Sequence, residues 1–183
     1  MPKTATRYIA LLRGINVGGS TMIKMQELRT LFEALGFGGV KSYINSGNLA
    51  FDLPSADVLR AKNLVSNLES AIRERFGKAI PVMLRKQTEI HTIIDKNPFA
   101  GEFASHKEMH VLFLAEPLAA VKADQLHAAG SPDERFAARG SEIYCHLRLG
   151  VANSLLGSGK LEKLLGVPVT ARNWRTVTKL AEL

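Results

Sequence analysis

The stretch "VKSYINSGNLAFDL", residues 40–53, decides the fold because it contains two short strand patterns separated by a tight turn. The small polar residues and glycine at 46–48 are typical of a β-hairpin turn. The segment "KMQELRTLFEAL", residues 24–35, comes before it, and its apolar residues recur at the spacing of an amphipathic helix that ends at Gly36. "RYIALLR", residues 7–13, has the pattern of a strand. The chain therefore begins with the order strand, helix, strand, strand.

The patterns that follow extend this order and then repeat it. After the hairpin we predict a helix at 56–76, a strand at 80–85 and a short helix at 88–95 with Thr88 as its N-cap. The predicted elements of the second half are a strand at 109–115, a helix at 117–129 that opens at Pro117, a hairpin at 134–147 that turns at Gly140, a helix at 152–165, a strand at 167–172 and a helix at 173–183 capped by Asn173.

A weak internal repeat supports this duplicated order. "PVMLRKQTEIHTII", from Pro81, aligns with "PVTARNWRTVTKLA", from Pro168, so that Arg85 matches Arg172. The order β-α-β-β-α-β is that of the ferredoxin-like fold, also called the split βαβ fold. We therefore predict an α+β protein made of two tandem ferredoxin-like (split βαβ) halves with antiparallel/mixed sheets.

The predicted domain boundaries follow from one linker-like stretch. "KNPFAGEFASHK", residues 96–107, lies between the two copies of the pattern and has no strand or helix period of its own. The predicted domains are residues 1–95, which carry a glycine-rich loop, and residues 108–183, joined by the linker 96–107.

The segment "LLRGINVGGSTMIKM", residues 11–25, contains the feature that the two halves do not share. Right-handed crossovers make the first two strands of a split βαβ unit parallel, with the third strand antiparallel between them. The loop at 14–23 and the hairpin at 45–48 should therefore meet at one end of the first sheet. The second half has only "AEPL" where the first has "RGINVGGSTMIK". We therefore expect the function to reside at this end of the first half.

The glycine-rich segment comes close to the phosphate-binding P-loop pattern but departs from it at one decisive position. Gly14, Gly19 and Thr21 fit the pattern, whereas Ser20 stands where a P-loop has the lysine that reaches the outer phosphates. The predicted order of elements also lacks the parallel sheet of P-loop proteins. The sequence argues against a P-loop and leaves two interpretations, an anion-binding loop or a turn that needs glycine for positive φ.

The residue types at this end favour the anion-binding interpretation. Gly18 and Gly19 let a ligand approach the backbone, and the helix that follows presents free N–H groups at its N-terminus. Lys24 lies at the helix start, where a cation opposes the helix dipole unless an anion is nearby. The predicted ligand-binding residues are Arg13, Asn16, Gly18, Gly19, Lys24, Asn45, Ser46, Asn48, Arg172, Asn173 and Trp174. The last three would join the site only through packing of the two halves, and ordinary turn or core roles stay open for the hairpin residues and for Trp174.

The predicted site has no carboxylate, histidine or cysteine of its own, so it identifies no catalytic residue. His106 and His110 in "HKEMH" have the i,i+4 spacing of metal ligands on a helix, but His110 begins a strand pattern. We therefore predict no metal and no cofactor. Cys145 alternates with Ile143 and Leu147 in a strand pattern, and we interpret it as a core residue.

The net charge of +7 and the pI near 9.7 favour anionic partners. The leading hypothesis is a protein that binds a small anionic ligand, such as a nucleotide or a phosphorylated metabolite. One alternative is an enzyme, a transferase or a hydrolase, that uses this site with Glu27 or with a group from the second half, and another is a nucleic-acid-binding protein. No apolar run reaches the about 18–20 residues that span a bilayer, and the single cysteine fits a reducing compartment, so we expect a cytoplasmic protein without membrane contact.

Four stretches together resemble a bacterial family, the domain of unknown function 1697 family: "YIALLRGINVGG", "IKMQELRTLFEALGF", "YINSGNLAF" and "TARNWRTVTKL". The resemblance covers nearly the whole chain. It implies a cytosolic α+β protein and transfers no activity, cofactor or catalytic residue, because none is established for the family. The typical loop of the family has lysine after the two glycines, where this chain has Ser20, and this difference leaves more of any phosphate contact to Lys24.

Overall fold

Two four-stranded antiparallel sheets carry the fold. The structure is a computed structural model that describes residues 4–19, 21–54 and 56–183. Contacts divide the chain into a first unit, Met1–Ile90 with Leu180–Leu183, and a second unit, His91–Lys179. One of the two sheets lies in each unit.

The first half has the predicted order of strands and helices, with two helices between its third and fourth strands where one was predicted. Its elements are β1 (Ala5–Leu12), α1 (Met25–Ala34), β2 (Gly38–Tyr43), β3 (Asn48–Pro54), α2 (Val58–Lys62), α3 (Leu64–Phe76), β4 (Val82–Lys86) and α4 (Gln87–Asp95). The sheet has the order β2-β3-β1-β4, and neighbouring strands are antiparallel. Because β3 lies between β1 and β2 and is antiparallel to both, β1 and β2 run parallel and end at the same edge. This is the arrangement of a split βαβ unit.

The second half has the same topology. Its elements are β5 (Met109–Leu114), α5 (Ala120–Ala128), β6 (Glu134–Arg139), β7 (Glu142–Leu147), a short 3-10 helix (Val151–Asn153), α6 (Lys160–Leu165), β8 (Val169–Asn173) and α7 (Trp174–Leu180). The sheet order β6-β7-β5-β8 corresponds to that of the first sheet strand by strand. The predicted fold class, α+β with two tandem ferredoxin-like halves, is confirmed, and neighbouring strands are antiparallel in both sheets.

The central strand β1 is buried on both of its faces. Ala10 and Leu12 belong to a core cluster that includes Phe32 of α1, so this face of the strand packs against the helices. Ile9 and Leu11 point to the opposite face and have no exposed surface either. The continuous apolar run in this strand is explained by burial on both faces, and β1 offers no open sheet surface to a ligand.

The predicted internal repeat is visible in a pair of buried arginines. Arg85 on β4 and Arg172 on β8 are 8% and 6% exposed. In each case one Nη1 group donates a hydrogen bond of 2.8 Å to the carbonyl oxygen of the preceding residue, Leu84 or Ala171. Burial lowers the pKa of Arg172 to about 10. The sequence match between these two arginines therefore reflects the same local structure in both halves.

The interpretation of Cys145 as a core residue is confirmed. Ile143, Cys145 and Leu147 lie on one face of β7, within the hydrophobic core of the second unit. The thiol is fully buried, and burial raises the pKa of Cys145 well above its ordinary value. A nucleophile needs an accessible thiolate, so this residue is not suited to that role.

The single helix predicted at 56–76 is wrong, because the structure contains two helices that meet at Asn63. Asn63 has φ −105° and ψ 14°, which ends α2 and begins α3. Its carbonyl oxygen accepts hydrogen bonds from the N–H of Asn67 and the hydroxyl of Ser66. The side-chain Nδ2 of Asn63 donates a hydrogen bond of 3.4 Å to the carbonyl oxygen of Leu59, and such local side-chain bonds compete with the regular helix in a way that the apolar spacing does not reveal.

Three other predicted helix boundaries need correction. The helix predicted at 152–165 is reduced to the 3-10 helix and α6, because the segment between them turns at its glycines. A Cβ on Gly157 would lie 2.0 Å from the carbonyl oxygen of Val151. The helix predicted from Pro117 begins at Ala120. Thr88 lies inside α4 and is not its N-cap, because α4 follows β4 directly at Gln87.

Residues 96–107, the predicted linker, lie in the second unit. Asn97 and Phe99 are buried there, and the N–H of Phe99 donates a hydrogen bond of 3.0 Å to Asn97 Oδ1. The ring of Phe103 lies edge-on to Trp174, with 5.9 Å between the ring centres. The division of the chain into 1–95, 96–107 and 108–183 stays a prediction.

A buried histidine makes the stability of the second unit sensitive to pH. His110 on β5 is 9% exposed, and its Nδ1 atom has no hydrogen-bond partner among the described residues. Burial and, to a smaller extent, the nearby His106 lower the pKa of His110 from 6.5 to about 4. The unfolded chain therefore binds a proton that the folded protein does not, and the folded state loses stability as the pH falls from 6.5 towards 4.

We predict that His110→Gln reduces this loss. The free energy of unfolding of the parent protein, measured with urea at pH 6.5 and at pH 4, should fall more steeply with acid than that of the variant. His91→Gln is the matched control, because His91 lies exposed on α4, and it should keep the steep parental dependence. Equal slopes for the parent and His110→Gln would show that His110 does not set the acid sensitivity.

Candidate functional site

The loop between β1 and α1, residues 13–24, is called the glycine loop here. Gly14, Gly18 and Gly19 have φ values of +66°, +63° and +74°. Asn16 also has a positive φ, +55°, which is uncommon for a residue other than glycine. The turn interpretation of these glycines therefore accounts for their backbone conformation, whatever else the loop does. Ser20 lies outside the described residues.

The side chain of Asn16 holds the glycine loop in place. Its Nδ2 group donates hydrogen bonds to the carbonyl oxygens of Ile23, at 2.8 Å, and Asn45, at 2.7 Å. Its Oδ1 atom accepts a hydrogen bond of 2.8 Å from the N–H of Ile23. The backbone N–H of Asn16 donates to the carbonyl oxygen of Thr21 at 2.9 Å. Both amide hydrogens of the side chain are therefore used within the protein, and the residue joins the loop to the hairpin turn.

The turn of the β2–β3 hairpin, residues 44–47, packs directly on the end of β1. The N–H of Leu12 donates a hydrogen bond of 2.8 Å to the carbonyl oxygen of Gly47. A Cβ on Gly47 would lie 2.8 Å from the Cβ of Leu12 and 2.9 Å from two side-chain carbons of Ile15, and the φ of Gly47 is +84°. The hairpin and the glycine loop thus meet at one end of the first sheet, as predicted from the topology.

The second half closes its own hairpin in the same way but without a long loop. The N–H of Leu114 donates to the carbonyl oxygen of Ser141 at 2.9 Å, as that of Leu12 donates to Gly47. The N–H of Leu118 donates to the carbonyl oxygen of Gly140 at 2.9 Å, where the first half uses the side chain of Asn16. Ala119 is extended, with φ −61° and ψ 142°, so α5 begins after it and later than predicted.

The hairpin residues proposed from the sequence differ in their accessibility. Asn48 is fully buried, and its Nδ2 group donates to the carbonyl oxygen of Tyr43 at 3.0 Å and to Ser46 Oγ at 3.1 Å. Asn48 and Ser46 therefore stabilise the hairpin turn from within. Asn45 is exposed and lines the adjacent cleft.

Three further loop positions lie outside the cleft lining. Arg13 is half-buried, and its N–H donates a hydrogen bond of 3.0 Å to the carbonyl oxygen of Pro81, beside β4. Gly18 and Gly19 are exposed, and no heavy atom lies within 4 Å of a Cβ built on either one. These glycines are therefore needed for their backbone conformation and not for close packing against the rest of the protein.

A cleft of about 670 Å³ opens between the glycine loop, the hairpin turn and the first turns of α1. Its lining residues are Asn16, Met22, Ile23, Lys24, Met25, Gln26, Glu27, Arg29 and Asn45. Its volume lies within the usual range for small-molecule sites, about 300–1,000 Å³. Of the residues predicted from the sequence, Asn16, Lys24 and Asn45 meet at this cleft.

The cleft contains two cations and one carboxylate. Lys24 is exposed at the N-cap position of α1, makes no side-chain capping hydrogen bond, and has no carboxylate partner within the described part of the chain. Arg29 is held by Ser42, whose Oγ accepts from Nη1 at 2.6 Å, and by the side-chain oxygen of Gln26. Glu27 also lines the cleft, which corrects the expectation that this edge has no carboxylate.

Arg29 is the residue that sequence reasoning missed. Gln26 and Arg29 are three residues apart on α1, a spacing that places two side chains on the same helical face. Lys24 is the residue just before this helix. The spacing of Gln26 and Arg29 is the feature of the sequence that could have identified Arg29. The apolar residues of α1 define only its buried face and do not point to Arg29.

The three predicted residues of the second half serve the structure of that half. Arg172 also donates to Thr170 Oγ1 at 2.8 Å. Asn173 caps α7 as predicted, because its Oδ1 accepts a hydrogen bond of 2.9 Å from the N–H of Thr176. Trp174 is half-buried. Contact of these residues with a ligand stays a prediction.

Two other features are absent among the residues that the structure describes, a metal-ion site and a membrane-spanning helix. No group of three or more His, Cys, Asp and Glu side chains is arranged to hold a metal ion. The pair His106 and His110 does not lie on a helix, since His110 is in β5 and His106 is in the preceding turn. No described helix combines the length and the apolar character needed to cross a bilayer.

Comparison with known proteins identifies the family of this chain. The family described as "Protein of unknown function (DUF1697)" matches residues 5–144, which is more than half of the chain. The chain belongs to the DUF1697 family. A solved structure described as "The structure of conserved bacterial protein SP0830 from Streptococcus pneumoniae" is 26% identical to this chain, with a TM-score of 0.70 and 98% of each chain covered. No curated protein matches this chain. The resemblance to the DUF1697 family stated from the sequence is thereby confirmed.

We predict that Asn16→Ala destabilises the first half because it removes three side-chain hydrogen bonds. At about 1 kcal/mol for each bond, the free energy of unfolding should fall by about 2–4 kcal/mol. Asn45→Ala is the matched control, since Asn45 takes part through its backbone carbonyl, and it should melt close to the parent. Urea unfolding of both variants measures the difference, and equal stability of the two would show that the Asn16 side chain does not organise the loop.

We also predict that Gly47→Ala is more harmful than Gly140→Ala, although both are hairpin glycines with positive φ. The methyl group at position 47 would overlap Leu12 and Ile15, whereas at position 140 it meets open space. Strain at positive φ costs about 1 kcal/mol, and overpacking adds about 1–3 kcal/mol. Thermal and urea unfolding should show the larger loss for Gly47→Ala alone; equal losses would mean that the hairpin moves to accept the methyl group.

Proposed function

We propose that this DUF1697 protein binds a small anionic ligand, such as a nucleotide or a phosphorylated metabolite, in the cleft beside the glycine loop. The observation that carries the proposal is the placement of Lys24 and Arg29 on one cleft of about 670 Å³. Among the described residues Lys24 has no carboxylate partner, and the side-chain contacts of Arg29 are with the neutral groups of Ser42 and Gln26. An anion in this volume would give both side chains a charged partner.

Lys24 is the stronger argument of the two cations. A lysine at the start of a helix is unfavourable to the helix dipole, and its ammonium group cannot accept a hydrogen bond from the free N–H groups there. The N–H groups of Met25 and Gln26, the first two residues of α1, have no partner inside the helix. A bound anion would complement both the ammonium group and these amide groups.

Arg29 adds direction to the site. Its contacts with Ser42 and Gln26 hold the guanidinium group, so a ligand would not have to order a flexible side chain. The exposed Asn45 supplies a further polar group from the hairpin turn. Asn16 holds the loop and the hairpin turn through its hydrogen bonds, and we propose it as a positioning residue. The proposed ligand contacts are Lys24, Arg29 and Asn45, and the other residues predicted from the sequence are not among them.

The two alternatives receive less support. For an enzyme, Glu27 is the acid or base that the described lining residues provide, and the lining includes neither histidine nor cysteine. For nucleic-acid binding, the central strand of the first sheet is buried on both faces, so it offers no stacking platform.

We also propose a cytoplasmic location, because the single cysteine is buried and unpaired cysteines are typical of reducing compartments.

We predict that Lys24→Ala weakens anion binding without affecting folding. Pyrophosphate and a nucleoside monophosphate are suitable first probes, titrated by calorimetry at low salt. A charge-assisted hydrogen bond contributes about 1.5–3 kcal/mol, so the dissociation constant should rise about 10- to 150-fold. Arg29→Ala should have a similar effect on affinity and should also lose its contacts with Ser42 and Gln26.

Lys163→Ala is the matched control for charge, because Lys163 is an exposed lysine on α6 in the other half of the chain. It should bind as the parent does. Circular dichroism and thermal melting check that each variant is folded. If Lys24→Ala and Arg29→Ala bind the probes as tightly as Lys163→Ala does, the cleft is not the anion site.

A further inference from the structure

Three large apolar side chains are exposed around the proposed cleft. Met22 lines the cleft and is 72% exposed. Val17 and Ile44 are 60% and 51% exposed, and each is the chain neighbour of a lining residue, Asn16 or Asn45. The hydrogen bonds of Asn16 to Asn45 and to Ile23, the neighbour of Met22, bring the three segments together.

This grouping is unusual on the surface of the protein. Single exposed apolar side chains are common and need no explanation. None of the others exposed in the described residues, Leu59, Val65, Val121, Leu149 and Val167, lines the cleft or adjoins a lining residue in the chain. At the glycine loop and hairpin turn, by contrast, Met22 lines the volume that also holds Lys24 and Arg29, and Val17 and Ile44 each adjoin a lining residue in the chain.

The cleft itself has the same mixed character. Ile23 and Met25 contribute apolar surface to its lining, beside the cations and the polar Asn45. A bare inorganic ion would leave this apolar surface in contact with water. A ligand that carries both an acidic group and an apolar body would cover it and meet the cations at once.

We propose that the ligand of this cleft is an amphipathic organic anion, an alkyl or aryl phosphate or carboxylate, whose acidic group is bound by Lys24 and Arg29 and whose apolar body contacts Val17, Met22 and Ile44. This inference rests on the proposed anion site and adds the chemistry of the rest of the ligand. Charge complementarity selects the acidic end, and the exposed apolar side chains select the body.

The experiment compares inorganic phosphate with methyl, butyl and octyl phosphate, each below its micelle concentration, by calorimetry. Burial of a methylene group is worth about a three- to fourfold gain in affinity, so the dissociation constant should fall as the chain lengthens. Met22→Ser should reduce this dependence on chain length. Leu149→Ser, at an apolar position 62% exposed in the other half, is the matched control and should retain it.

The variants separate the two proposals. Lys24→Ala should weaken all the phosphates by a similar factor and keep the dependence on chain length. Binding of inorganic phosphate and octyl phosphate with equal affinity overturns the amphipathic ligand and leaves the anion site standing. Octanol that binds as tightly as octyl phosphate overturns the anion site, and absence of binding for all four phosphates overturns both.

A macromolecular occupant would give a different result. Sedimentation with phosphatidylglycerol vesicles tests a membrane surface as the source of the same chemistry. Vesicle binding that is lost in Met22→Ser, combined with no binding of monomeric octyl phosphate, would overturn the proposal in favour of a lipid surface. Binding of monomeric octyl phosphate without vesicle binding supports it.

Discussion

The side-chain amide of Asn16 is the interaction on which the candidate site depends. It hydrogen-bonds the carbonyl oxygens of Ile23 and Asn45 and the N–H of Ile23, and so connects the two ends of the glycine loop to the hairpin turn. The cleft lies where these segments meet the first turns of α1. A long loop held by one side chain keeps its cations and apolar side chains at the surface, where a ligand can reach them.

Comparison of the two halves separates the arrangement that both share at this end from the glycine loop that only the first half has. In both halves the last residue of the first strand donates its N–H to the turn of the hairpin, through Leu12 in one and Leu114 in the other. The second half then proceeds almost directly to its helix, and a backbone contact from Leu118 completes the closure. The first half inserts the glycine loop between the same two points. An insertion that preserves the frame and adds exposed charged and apolar groups is the expected location of a binding function.

Local patterns predicted much of the fold but not the roles of individual side chains. The spacing of apolar residues and the turn residues predicted the strands and hairpins, and the structure contains them. The internal alignment predicted that Arg85 and Arg172 correspond, and their hydrogen bonds are the same in both halves. The break at Asn63 could not be read from the apolar spacing, because Val58 before it and Val65 and Leu68 after it keep the spacing of a single helix. Asn48 and Asn45 are equivalent turn residues in sequence, yet one is fully buried and the other exposed.

The sequence by itself determined the order of elements, the duplication and the end of the sheet at which the unshared loop must lie, since these depend on local propensity and on the handedness of crossovers. Only the tertiary structure decided which side chains line a cleft there. It placed Glu27 and Arg29 beside Lys24, and it assigned the amide of Asn16 to a partner 29 residues away. Exposure and long-range hydrogen-bond partners, such as that of Asn16, are set by residues distant in the chain, so the spacing of neighbouring residues does not reveal them.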